Sequence, residues 1–138
     1  MPTFPVLMHT ALDATDCRGL AEFYRQFLGL RHRCGDEVPE DGNDDAEWLV
    51  LLDSRGHRVL AFNQVPTLAR STWPTHEVPK QMHHDFRVSN VEELERHRRR
   101  AQDLRAKLVF DRSGEAGEPL YVLANLAGHP FCILVGSE

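Results

Sequence analysis

Two histidines stand at matching places in this chain, His9 and His83, each at the start of a short run of alternating residues. An imidazole gains and loses a proton near neutral pH, so either one suits general-base work. Each has a carboxylate in reach along the same run: Asp13 beyond His9, and Asp85 beyond His83. Such a carboxylate can orient the ring. Asp85, His9 and His83 are therefore the catalytic candidates. Arg87, Cys132, Gln64 and Asp13 add further polar groups, and Leu60, Phe62, Leu134 and Trp73 add apolar ones. Together they describe an amphipathic pocket for a small molecule.

The elements that carry these residues follow from periodicity. VLMHTALDA at 6–14 alternates as a strand. Asp16 is an N-cap for a helix with the stripe Leu20, Phe23, Tyr24, Phe27 and Leu28, and Gly29 suits its left-handed end. A short strand at 30–35, an acidic turn-rich loop, and strands WLVLLD and RVLAFNQV complete a βαβββ unit. Residues 66–80 hold three prolines and read as a linker. The order then repeats: strand MHHDFRV, N-cap Asn90 with Glu93 behind it, a helix to about residue 105, and strands near 107–111, 120–125 and 130–135.

The halves align without gaps in two blocks, HTALDATDCRGL with HHDFRVSNVEEL and LLDSRGHRVLAFN with LANLAGHPFCILV. His9 matches His83, Gly56-His57 matches Gly128-His129, and Leu60 matches Cys132. The expected fold class is α+β: one domain over 1–138, with module one at 6–65, the linker at 66–80 and module two at 81–136. Alternation puts Met8, Thr10, Leu12, Val59 and Ala61 on the helix side of the first sheet. It puts Phe86, Val88, Phe131, Ile133 and Val135 on that side of the second. The other faces then hold His9, Asp13, Arg58, Leu60, Phe62 and Gln64, and His83, Asp85, Arg87, Cys132 and Leu134. Polar groups on an inner face predict a wet cavity between the sheets. Trp73 either covers that cavity or packs between the halves. His57 and His129 read as turn residues, His84 as a structural histidine on the helix side, and RHRRR at 96–100 as a solvated helix face.

Composition narrows the classes. The 138 residues are 41% hydrophobic and 27% charged, with a net charge of −5. That is ordinary for one globular domain and poor for phosphate backbones, so no nucleic-acid partner is expected. Cys17, Cys34 and Cys132 are odd in number with no CxxC. No signal peptide or membrane span is read, and a cytoplasmic home is expected.

The runs HTALDATDCRGLAEFYRQFLGL, LAFNQVP, STWPTHEVPKQMHHDFRVSN and AGHPFCILV resemble the vicinal oxygen chelate superfamily of glyoxalases, bleomycin-resistance proteins and extradiol dioxygenases, in its glyoxalase-like branch. The resemblance spans nearly the whole chain. It implies two βαβββ modules around a cavity, a small oxygenated ligand, lyase or isomerase chemistry and a homodimer. It also implies a divalent metal (Zn, Ni, Fe or Mn) on four strand positions. His9 and His83 fill two and Cys132 a third, while the fourth falls on Leu60, which cannot ligate. Glyoxalase I activity itself is therefore not expected, because both glutamate positions of its pattern are replaced. The alternative is a metal-free sequestering protein of the bleomycin-resistance type, with Cys132 only a small buried hydrophobe.

Overall fold

The computed structural model describes residues 4–136 and orders the chain as two βαβββ units, residues 1–67 and 68–138. The first contains β1 (Thr10–Ala14), α1 (Cys17–Leu28), β2 (Arg31–His32), β3 (Trp48–Leu52) and β4 (Arg58–Gln64). The second contains β5 (His84–Val88), α2 (Val91–Asp103), β6 (Lys107–Arg112), β7 (Leu120–Ala124) and β8 (Pro130–Val135). Their sheets have the same order, β1-β4-β3-β2 and β5-β8-β7-β6, with the first and last strands of each unit adjacent and parallel and the first at the sheet edge. A parallel pair needs a crossover, and in each unit the helix begins it. The unit boundary falls after Thr67, so most of the expected linker belongs with the second unit.

The helices start and stop where their residue chemistry dictates. Asp16 accepts from the Gly19 N–H at 3.0 Å, and Asn90 from the Glu93 N–H at 2.8 Å. These caps satisfy backbone donors that have no partner in the first turn. Gly29 ends α1 at φ 67°. The Glu93–Arg96 and Glu95–Arg98 pairs lace α2 along its own surface. The β3–β4 and β7–β8 turns are the same device twice. Asp53 Oδ1 accepts from the N–H groups of Arg55 and His57; Asn125 Oδ1 accepts from those of Ala127 and His129. Gly56 and Gly128 take φ +85° and +89° in these turns. Gly128 has a second constraint, since a Cβ there would lie 2.8 Å from Arg70.

β1 begins later than the alternation suggests. Val6, Leu7 and Met8 are exposed, and the ladder opens at Thr10 opposite Leu60. His9 and His83 each lie one residue before their strand.

One difference in register reassigns a whole face of the first sheet. Leu52 pairs with Arg58 but Leu51 with Leu60, so Val59 is an extra, bulged residue on β4. In β8 the steps are regular: Ala124 with Pro130, then Leu123 with Phe131. From position 59 onward the ungapped alignment is therefore one residue out. The structural counterpart of Cys132 is Ala61, not Leu60, and the parallel ladders agree, with Thr10 opposite Leu60 and His84 opposite Phe131. A one-residue slip moves every side chain to the other face. Phe62 stacks on Tyr24 of α1, with ring centroids 5.9 Å apart. Gln64 Oε1 accepts from the Cys17 N–H at 2.9 Å, and its amide donates to the Thr15 carbonyl at 2.6 Å. Leu60, Phe62 and Gln64, expected in the cavity, thus face α1, and Ala61 does not.

The second sheet keeps its expected sides. Tyr121 donates to Glu95 of α2 and lies under Arg98. Its neighbours across β7 and β8 share that side: Ile133 is fully buried, and Phe131 meets Phe86 edge-on. Asp85, Cys132 and Leu134 therefore lie on the opposite side.

If Gln64 is a cap of α1, Gln64→Ala strips a partner from the Cys17 N–H. The expected cost is about 1–2 kcal/mol, read as a fall in Tm of about 3–6 °C. An unchanged Tm would return Gln64 to the open face.

Candidate functional site

The open face of the second sheet is built by three strands. β5 contributes Asp85 and Arg87, with His83 just ahead of it; β8 contributes Cys132 and Leu134; β7 contributes Leu120 and Val122. Asp85 is the register partner of Cys132. As a result the nitrogen of His83, a carboxylate oxygen of Asp85 and the sulfur of Cys132 all lie within 4.8 Å of one another. His83 Nε2 stands 3.4 Å from Asp85 Oδ1. The two carry quite different exposure from Cys132, which is 9% exposed and packs with Leu120, Val122, Trp73 and Leu134.

Trp73 reaches this wall from the segment before β5. That segment is tied to itself: the Thr72 N–H and Ser71 hydroxyl donate to the Val78 carbonyl, and the Val78 N–H donates back to Thr72 Oγ1. The knot holds Trp73 edge-on to Phe110, 6.0 Å away, with Lys80 Nζ 4.9 Å above its ring.

Electrostatics decide what Cys132 can do. Burial pushes its thiol up to about 11, helped by its hydrogen bond to Asp85 and that carboxylate's charge. At neutral pH the group is a thiol, and the thiolate is the nucleophile. Cys132 is therefore not an activated nucleophile. Burial, with His83 and His129 nearby, also lowers His84, the helix-side histidine.

The three donors do fit a metal. Tetrahedral zinc with bonds of about 2.0–2.3 Å sets its ligand atoms about 3.3–3.8 Å apart; His83 and Asp85 stand at 3.4 Å, and all three donors lie within 4.8 Å, so the widest pair would close by up to about 1 Å on binding. Imidazole, carboxylate and thiolate are all zinc donors, and an ion at the sulfur would supply the positive charge that ionises it.

The first unit has its own open face. His9 meets the Trp48 ring at 5.8 Å, and its Nδ1 is buried with no partner among the described residues. Asp13 accepts from Asn63 at 3.2 Å. Trp48 is the register partner of Asn63, and Val50 of Ala61. Trp48 and Asn63 went unread in the sequence because no glycine or proline marks the Val59 bulge. Lys80 went unread because irregular chain brings it to Trp73. Of the expected site residues, the structure gathers His83, Asp85, Arg87, Cys132, Leu134 and Trp73 in the second unit. It leaves His9 and Asp13 on the first.

The raised Cys132 thiol has a direct chemical test. Iodoacetamide should modify exposed Cys34 well before Cys132, whose alkylation should rise only as pH approaches about 11. Asp85→Asn removes one cause and should move that rise to lower pH, with burial still holding it above the ordinary 9.0. The native thiol lies above its unfolded value, so its contribution to stability is complete below pH 9 and falls as pH climbs toward 11. Alkylation of Cys132 at neutral pH as fast as Cys34 would contradict this account.

Comparison with known proteins places this geometry in a family. The glyoxalase-like domain model matches residues 9–134. No curated protein matches in sequence. Among solved structures, the fosfomycin resistance protein FosX from Listeria monocytogenes superimposes with a TM-score of 0.68 at 15% identity, covering 98% of this chain and 96% of that one. A glyoxalase/bleomycin resistance protein/dioxygenase family enzyme from Burkholderia phytofirmans PsJN gives 0.64 at 15% identity, over 93% and 96%. A variant of the Listeria protein, in complex with Mn(II) and 1S,2S-dihydroxypropylphosphonic acid, gives 0.68 at 17% identity, over 98% and 95%. These likenesses establish the fold, that of the vicinal oxygen chelate superfamily, and the match over residues 9–134 makes this chain a member of the glyoxalase-like domain family.

Proposed function

We propose that the protein binds a small oxygenated molecule at the open face of its second sheet, beside a divalent metal held by His83, Asp85 and Cys132, and performs lyase or isomerase chemistry on it. The observation that carries this reading is the convergence of three different donor atoms within 4.8 Å on adjacent strands. An ion there would draw two neighbouring ligand oxygens to itself and stabilise negative charge developing on them. The residues around it have their own tasks. Asp85 orients the His83 ring and accepts from Cys132. Leu120, Val122, Leu134 and Trp73 exclude water from one flank. The related FosX variant holds Mn(II) and a diol phosphonate, which is the same combination of metal and vicinal oxygens. Within this reading the chain works as a cytoplasmic homodimer.

A second reading, a metal-free sequestering protein, has one observation in its favour. His83 and Cys132 already pair with Asp85, so the cluster is satisfied without an ion. Metal titration of untagged protein separates the two. The expected result is one zinc per chain, with His83→Ala, Asp85→Asn and Cys132→Ser each weakening it by about tenfold or more. Zinc at about a hundred times its Kd should also raise native stability by about 2.7 kcal/mol. If Zn, Ni, Fe and Mn all fail to bind, the metal reading is lost and the sequestering one stands.

A further inference from the structure

We propose that residues 4–8 are a self-association arm, and that two copies of this chain pair their arms antiparallel about a two-fold axis at Val6. This rests on the reading of the protein as a homodimer and gives that dimer its surface.

Three observations carry it. First, the arm is the most exposed apolar run among the described residues. Phe4, Val6 and Leu7 are 80%, 76% and 84% exposed, Met8 is 59% exposed, and Pro5 between them is exposed too. The next such run, Leu108, Val109 and Phe110, reaches at most 44%. Five consecutive apolar residues in water carry a cost that a covering partner removes. Second, the arm leads into β1, which is an edge strand. No Asp, Glu, Lys or Arg stands between Phe4 and Leu12 to guard that edge. Pro5 bars the arm from a central place in a sheet but not from an edge. Third, the arm is self-complementary. A two-fold contact sets residue i against j and j against i. Centred on Val6, it sets Phe4 against Met8, Pro5 against Leu7 and Val6 against itself, so every facing pair is apolar. Two such arms offer roughly 1,200 Å² of surface, the size at which specific interfaces begin.

A lipid surface is the other apolar partner such an arm could meet. Peripheral segments are held at membranes with the help of Lys and Arg on anionic headgroups. Here no Lys or Arg stands between Phe4 and Cys17, while Asp13 and Asp16 do. The local charge therefore opposes an anionic membrane, and a second copy of the chain is the better occupant.

Self-association is measured by sedimentation velocity, from micromolar to hundred-micromolar chain, on wild type, Val6→Asp, Val6→Lys and an equimolar mixture of the two variants. Val6 is exposed in the single chain, so both substitutions should leave Tm within about 2 °C. Wild type should be a dimer. Each substitution sets like charges face to face and should weaken the dimer by about a hundredfold or more. In the mixture the new carboxylate faces the new ammonium, and a heterodimer should return to within about tenfold of wild-type affinity. A Val6→Asp protein as dimeric as wild type overturns the arm and leaves the homodimer on another surface. Two monomeric variants that stay monomeric when mixed overturn the two-fold pairing. Wild type monomeric throughout overturns the arm and the homodimer together, and its sedimentation with phosphatidylcholine vesicles would then give the arm to a lipid surface.

Discussion

The parallel pairing of first and last strands within each unit is the constraint on which everything else depends. It forces a helix crossover, so each sheet has one face covered by its own helix and one face left open. It also sets which side chains meet between the edge strand and its neighbour. In the second unit that register places Asp85 directly beside Cys132, and His83 two residues back along the same side. The donor cluster is a consequence of this ladder, since the three residues are distant or differently spaced along the chain. A shift of one residue between β5 and β8 would turn Cys132 toward α2 and dismantle it.

The same ladder gives a different result in the first unit because of a single residue. Val59 bulges, and the strand beyond it is turned over relative to its counterpart. The helix side gains Leu60, Phe62 and Gln64, which pack under α1 and cap its first turn. The open side gains Ala61 and Asn63, beside Trp48 and His9. The two units thus share one architecture while their open faces differ in chemistry. One carries N, O and S donors beside a lysine stacked on an indole ring. The other carries an imidazole, an indole and an amide–carboxylate pair.

The cluster in the second unit joins opposing demands. A thiol buried among Leu120, Val122 and Trp73 favours its neutral form, and Asp85 strengthens that preference. This rules Cys132 out as a free nucleophile. A cation in contact with the sulfur reverses the balance, because it stabilises the thiolate that burial disfavours. The site is therefore quiet by itself and poised toward positive charge. Lys80, close enough to oppose the rise in the thiol, belongs to the same balance.

Much of this was legible in the sequence, for physical reasons that particular residues show. Asp16, Gly29 and Asn90 announced the helix ends because caps act within three or four residues. The paired Gly-His turns announced the duplication because a left-handed turn position constrains residue type. Strand alternation was sufficient for β5 and β8, where the pleat is unbroken, and so it found His83, Asp85, Arg87, Cys132 and Leu134 on one side. Other features depend on distant parts of the chain. The bulge at Val59 leaves no mark in residue type, and only the ladder with β3 reveals it. The Thr72–Val78 knot that brings Trp73 and Lys80 to the apolar wall has no period to read. The sequence by itself determined two βαβββ units, their helix limits and the histidines that head them, because those rest on local backbone preferences. The tertiary structure alone decided which side chains share an open face, because that depends on register between strands dozens of residues apart.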